Sequence, residues 1–299
     1  MHDQHTLVTP LAEVRAGRPW WVEIRLYASQ NSLAVVGAVL VVVMTVMALA
    51  APLLSPHDPL KLFYGREFVP PSKDFLLGTD DLGRDILSRV IYGARTSLYV
   101  GILSVLFGQV GGGILGMISG YFGGKTDEAI QRLMDILMSF PTLILALAIV
   151  AALGPSVDNV VVAISLTQIP RAARVIRSTT LSGKELQYVD AARAVGASDT
   201  RILVHHILPQ CLAPLWVISS IALPAAILTE ASMSFLGLGV PPPTPTWGGM
   251  LAGAGREYAE QAPWIGVFPG VTISLAVFGF NMLGDGLRDV LDPRLRGTH

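Results

Sequence analysis

Charge is scarce in this chain. Aspartate, glutamate, lysine and arginine together make up 14% of its 299 residues, against about a quarter in ordinary soluble proteins. Cysteine is scarcer still, and the lone Cys211 excludes an internal disulfide. The six histidines are scattered apart from His205-His206, which lack carboxylate or cysteine partners at ligand spacing, so no metal site is legible. A formal net charge of −1, with no basic cluster interleaved with aromatics, gives no reason to expect nucleic acid as a partner. Apolar residues are what abounds: 52% of the chain is hydrophobic and the mean hydropathy is +0.55. The composition is that of a membrane protein whose surroundings are a lipid bilayer, and its apolar runs, of helix-crossing length, make the expected fold all-α.

A helix crossing the hydrocarbon core takes about 20 apolar residues. Runs of that length lie at 32–53, 97–119, 134–153, 158–176, 212–235 and 264–283. The fourth is interrupted by Gln168, Pro170 and Arg171. The first is too long for a cleavable signal, and a polar stretch precedes it. Six crossings put both termini on one side. With the N-terminus inside, the inner segments hold twice as many lysines and arginines as the outer ones, including Arg171, Arg174, Arg177, Lys184, Arg193 and Arg201 in one loop. The first outer loop runs against this with Lys61, Arg66, Lys73, Arg84, Arg89 and Arg95, but it is long and interleaved with aspartates. The expected division is a cytosolic segment 1–31, a first transmembrane helix 32–53, an extracytoplasmic loop 54–96, a core 97–283 and a cytosolic tail 284–299. Trp20, Trp21, Trp247 and Trp264 read as interfacial anchors.

The second run carries a small residue every four positions: Ser104, Gly108, Gly112, Gly116 and Gly120. Between membrane helices the hydrophobic effect supplies little, so a side-chain-free ridge of this kind predicts a close helix–helix contact. Gly111-x-Gly113-x-x-Gly116 fits a dinucleotide fingerprint as a string, but no strand precedes it. Gly124-Lys125-Thr126 resembles the end of a P-loop, yet the first glycine of that motif would fall on Ser119. No nucleotide site is expected in this chain. At 84–91, Ile86, Leu87, Val90 and Ile91 share a helical face opposite Arg84, Asp85, Ser88 and Arg89, which predicts an interfacial amphipathic helix with an Asp85–Arg89 pair. Asp135 is expected to pair with Arg132.

Between the fourth and fifth runs lies a polar loop, 180–209. Ser182 and Glu185 have capping-box spacing for a first short helix, and Gly196 can supply the positive φ that stops it. Ser198 can cap a second helix, which Pro209 would end. The product is a polar helical hairpin whose small side chains, Ala191 and Ala192, admit a second surface close to the backbone.

Asp190-Ala191-Ala192 with Gly196, and then Leu208-Pro209, resembles the coupling loop of the membrane subunits of binding-protein-dependent ABC importers. Asp190 stands where glutamate is usual, and Ile207 abuts Leu208. Further strings resemble the peptide/nickel branch of that family, in particular the second membrane subunit of dipeptide and oligopeptide permeases. They are Leu77-Gly78-Thr79-Asp80 with Gly83-Arg84-Asp85 and Ser88-Arg89, Gly120-Tyr121-Phe122-Gly123-Gly124 with Arg132-Leu133-Met134-Asp135, Leu236 to Gly248, and Gly284 to Pro293.

The resemblance implies a MetI-like permease fold of six transmembrane helices in a bacterial or archaeal inner membrane. It implies a heterodimer with a second, homologous permease, two ABC ATPase subunits that bind ATP and magnesium, and an extracytoplasmic substrate-binding protein. This chain would hold no cofactor and do no covalent chemistry. Tyr188, Asp190, Ala191, Ala192, Gly196, Ala197 and Ser198 would meet the ATPase. Dipeptides, longer peptides, glutathione and nickel chelates are all cargoes of such proteins. Polar residues inside the spans, Gln168, Glu230 and Asn281, are the candidates for lining the pathway, since a polar group in the bilayer usually faces a cavity or a partner. The alternative is an ATP-independent secondary transporter or channel, for which an inverted repeat or a chain of buried charges would be expected; neither is found.

Overall fold

The computed structural model describes residues 31–291. The regular structure among them is helical: α1 (Ser32–Leu49), α2 (Ala51–Leu54), α3 (Ile86–Phe122), α4 (Gly124–Met138), α5 (Thr142–Leu153), α6 (Val157–Lys184), α7 (Gln187–Ala194), α8 (Asp199–Ile202), α9 (Leu208–Phe235), α10 (Trp247–Leu251), α11 (Ala254–Glu257) and α12 (Trp264–Leu291). A π-helical turn, Leu203–Ile207, joins α8 to α9. The tryptophans at 20 and 21 and the arginines at 15, 18, 25, 294 and 296 lie outside the described residues.

Four helices are long and apolar enough to cross a bilayer, and a fifth crossing is counted if the bent pair α4–α5 is one span. The run at 134–153, expected as one helix, is broken, with α4 and α5 meeting at 92°. Pro141 stands at the break with φ −56° and ψ 131°: it has no N–H to continue the ladder, and a proline disfavours the helical region for the residue before it. The remaining run lies in α6, whose 28 residues carry Gln168, Pro170, Arg171, Arg174 and Arg177. That polar content keeps it out of the apolar class, and it packs against α3, α4, α5 and α9.

α3 is longer than the sequence predicts. The stretch expected to lie as a separate interfacial helix is its first turn, and the chain runs unbroken for 37 residues. Both faces of that turn are covered, because Ile86 and Val90 pack with Met250, Ala262 and Ile265 while Ser88 and Arg89 are buried as well. Asp85 does not pair with Arg89. It caps α3 by accepting from Ser88 N at 3.0 Å, and His57 Nδ1 lies 3.4 Å from it. Arg89 turns instead to Asp80, at 3.6 Å.

The glycine ridge of α3 lies against α6. Ser104 Oγ donates to Val161 O at 3.3 Å. A Cβ built on Gly108 would stand 2.9 Å from Gln168 Cβ, one on Gly116 2.4 Å from Ala173 O, and one on Gly120 2.8 Å from Thr180 Cβ. Only glycine admits this backbone approach, in which van der Waals contact replaces the missing hydrophobic drive. α1 uses the same device on α12, where Gly37 meets Met282 and Gly279 meets Leu40. Apart from that seam α1 is largely open, with Val36, Val39, Val42 and Val43 all exposed.

Candidate functional site

Two features concentrate polar or conformationally special residues: the elbow between α6 and α9, and an open cavity walled by α3, α4, α6 and α9. In the elbow, α7 ends in a Schellman pattern, with Gly196 N donating to Arg193 O at 2.9 Å and Ala197 N to Ala192 O at 3.0 Å. Gly196 has φ +80°, which a residue with a Cβ adopts only under strain. The helix start differs from expectation. Ser182 lies inside α6, where its hydroxyl donates to Ser178 O, and α7 begins after Leu186 without a side-chain cap. Ser198 holds the position before α8 but makes no capping bond. Pro209 ends nothing; it sits in the first turn of α9 just after the π-helical turn, and the chain stays helical from Asp199 to Phe235.

The elbow has two faces. Inward, Val189, Ile202 and Ile207 are buried with Ile176 and Cys211. Outward, Leu186, Tyr188, Val195 and Val204 are exposed, Val195 at 85%. Asp190 and Ala191 are also exposed, Ala192 and Ala197 half-buried, and Asp190 pairs with Arg193 at 3.3 Å. Tyr188 accepts from Gln210 Nε2 and faces the His206 ring at 5.8 Å. Polar ties join the elbow to the bundle: Tyr121 OH, at the end of α3, donates to Asp199 Oδ1 at 2.6 Å, and the Arg193 guanidinium lies 5.7 Å from the Tyr121 ring centre. Neighbouring ties fix α4 to α6. Arg177 donates to both oxygens of Asp127, at 2.6 and 2.5 Å, and Arg174 pairs with Asp135 at 2.5 Å. Asp135 therefore finds its partner across helices, while Arg132 pairs with Glu128 at 3.5 Å.

The cavity, of about 430 Å3, is lined from α3 by Gln109, from α6 by Thr167, Gln168 and Arg171, and from α9 by Thr229. Of the three polar residues singled out in the spans, it receives Gln168 alone. Asn281 is exposed on α12 and is not part of its wall. Glu230 is fully buried elsewhere, accepting from Ser234 Oγ at 2.8 Å and from Ser97 Oγ at 3.3 Å. Ser97 Oγ also accepts from Trp247 N at 3.3 Å, and Trp247 Nε1 donates to Val90 O at 3.0 Å. Trp247 is thus a core residue, fully buried, and not an interfacial anchor. Gln109 was missed in sequence, although it is the one side-chain amide inside the apolar run 97–119.

A second cavity, of about 260 Å3, lies under the long loop and is lined by Asp80, Asp81, Arg84 and Arg89. Its charges answer one another: Arg84 contacts Asp80 at 2.7 Å and Asp81 at 3.8 Å. Burial, with the neighbouring Asp80 carboxylate, holds the Asp81 carboxyl above its ordinary value despite Arg84.

Comparison with known proteins identifies the framework. The profile of the family described as binding-protein-dependent transport system inner membrane component matches residues 112–297, and that of the N-terminal TM domain of oligopeptide transport permease C matches 19–71. The chain is 42% identical over 294 residues to a dipeptide transport system permease protein of Alkalihalophilus pseudofirmus, covering 98% of this chain and 93% of the relative. It is 44% identical over 276 residues to a di/tripeptide transport system permease of Pseudomonas aeruginosa, covering 90% and 91%. To a glutathione transport system permease of Pectobacterium atrosepticum it is 43% identical over 288 residues, covering 96% and 95%. Among solved structures, the inward-facing MetNI methionine ABC transporter aligns with a TM-score of 0.55 at 19% identity, over 69% of this chain and 98% of the matched chain, which fixes a MetI-like permease fold. The chain belongs to the inner membrane components of binding-protein-dependent transport systems, as a multi-pass permease of the oligopeptide-permease-C branch.

Proposed function

We propose that this chain is one of two non-identical membrane subunits of an ATP-driven importer for peptides or similar small solutes. In this reading a substrate-binding protein delivers the solute from outside, and two ATPase subunits, holding ATP and magnesium, grip the elbows from the cytosol. Both termini then lie in the cytosol, all six long segments cross the membrane, and the chain itself hydrolyses nothing. The observation that carries the proposal is the elbow: an open apolar face of Leu186, Tyr188, Val195 and Val204 beside Asp190, Ala191 and Gly196. It is set in a chain whose relatives over nine-tenths of its length are named for dipeptide, di/tripeptide and glutathione transport.

The mechanics follow from the ties already described. The elbow is bonded to α3 through Tyr121–Asp199, α3 is seated on α6 along the glycine ridge, and α6 is clamped to α4 by Arg177–Asp127. These helices move as one body, so closure of an ATPase dimer draws the elbow and tilts the bundle, changing which side of the membrane the cavity opens to. Co-expression with the neighbouring transporter genes tests this reading. The chain should purify with a homologous permease and two P-loop ATPases, and vesicles bearing the complex should take up peptide only with ATP inside and binding protein outside. Uptake by this chain alone would place it among secondary transporters or channels.

A further inference from the structure

The larger cavity, open on one side, holds a charge that nothing in its wall compensates: Arg171, itself exposed. Arg171, Arg174 and Arg177 follow one another at three-residue intervals along α6. Arg174 and Arg177 are paired with Asp135 and Asp127, whereas Arg171 has no ion-pair partner among the described residues, and no residue lining the cavity is acidic. An uncompensated cation in such a space favours anions and repels cations.

One turn along α6 stands Gln168, on the same face as Arg171 because the two are three residues apart. Across from it Gln109 is 7% exposed, and its Oε1 is buried without a hydrogen-bond partner. Gln109 Nε2 reaches Gln168 Oε1 only at 3.5 Å, the far limit of a hydrogen bond. The pair therefore offers an idle acceptor at Gln109 Oε1 and donors at Gln168 Nε2, the complement of the N–H and C=O of one peptide unit. Much of the remaining wall is apolar, with Leu137, Met138, Phe140, Leu145 and Ile164.

Resting on the importer reading above, we propose that this half of the pathway is a carboxylate-and-amide station. Arg171 takes the carboxylate of the passing solute, Gln109 and Gln168 exchange hydrogen bonds with the amide beside it, and the apolar walls leave its side chains unread. A guanidinium suits this task because its fork of donors matches a carboxylate in two parallel bonds.

The test uses the complete importer in vesicles, with its second permease, ATPases and binding protein. It compares uptake of dialanine with that of dialanine amide, which keeps the peptide bond and lacks the carboxylate. The binding protein's own preference cancels when the carboxylate-to-amide ratio is compared between variants. Arg171→Gln, with Arg171→Ala as the second variant, lowers that ratio roughly tenfold by slowing uptake of the carboxylate form, as expected for loss of one charge-assisted bond. Arg171→Lys recovers most of the ratio, and Gln109→Leu slows both peptides alike. An unchanged ratio in the Arg171 variants, or an equal loss on both peptides, overturns the station. Wild-type vesicles that take up neither these peptides nor other di-, tri- or longer peptides or glutathione overturn the importer reading beneath it, so the two failures are distinct.

Discussion

A Cβ built on Gly112 would stand 2.5 Å from the Cβ of Ala172, and 2.6 Å from Ile169 O. The seam between α3 and α6 is therefore backbone against backbone, with no flexible side chain to swing aside. Gly111, its neighbour in sequence, has only the tip of Ile169 at 3.4 Å, an ordinary contact.

That contrast fixes a first prediction. Gly112→Leu and Gly116→Ala force the helices apart and cost about 1–3 kcal/mol or more, because the atoms in the way are backbone. Gly111→Ala changes stability by less than about 0.5 kcal/mol. Thermal unfolding of the purified protein in detergent separates the two classes; a Gly112→Leu protein that melts like Gly111→Ala contradicts the seam.

A second prediction concerns Glu230, which ties α9 to Ser97 of α3 and, through Ser97, to the Trp247 backbone. Glu230→Leu strands these hydroxyls in a dry site, at about 1–3 kcal/mol. It should also loosen α10, read as faster proteolysis in the 236–252 segment. Glu230→Gln keeps an acceptor for Ser234 and is expected to behave close to wild type. Equal proteolysis of all three proteins would show that Glu230 does not seat the loop.

Tyr121 and Asp199 give a third. Tyr121→Phe removes the bond between α3 and the elbow while keeping the ring under Arg193. The expected loss of stability is about 1 kcal/mol. Its functional signature is a split: peptide uptake per ATP hydrolysed falls while hydrolysis itself persists. Uptake and hydrolysis that remain in wild-type proportion count against the tie as a transmitting contact.

Much of this was legible in sequence, and the rest has identifiable physical causes. The apolar runs announce themselves because bilayer thickness alone sets their length, and the Ser104 to Gly120 ridge because a four-residue period places five small side chains on one face. Gly196 was legible since a Schellman stop needs positive φ. Ser182 misled because capping-box spacing says nothing about whether the preceding helix has already ended, and α6 runs on to Lys184. Asp85–Arg89 and Arg132–Asp135 failed for a shared reason: local spacing offers a partner, but a nearer one arrives from another element, Asp80 for Arg89 and Arg174 for Asp135. Glu230 was read as a candidate for the pathway wall, but it lies buried between Ser97 and Ser234, which sequence separation does not bring together. Gln109 carried a signal that went unread, an amide alone in an apolar run.

The central claim is that the elbow meets a separate ATPase. Cys211, the sole cysteine, is fully buried, so a cysteine introduced at exposed Ala191 is the one reactive thiol among the described residues. The most direct measurement is therefore disulfide cross-linking of Ala191→Cys to cysteines placed around the nucleotide-binding subunit in membranes of the assembled importer. The account predicts one strong cross-linked band of permease with ATPase, whose yield changes when ATP and vanadate are added. Cross-links to the second permease alone, or none with the ATPase at any position, would contradict it.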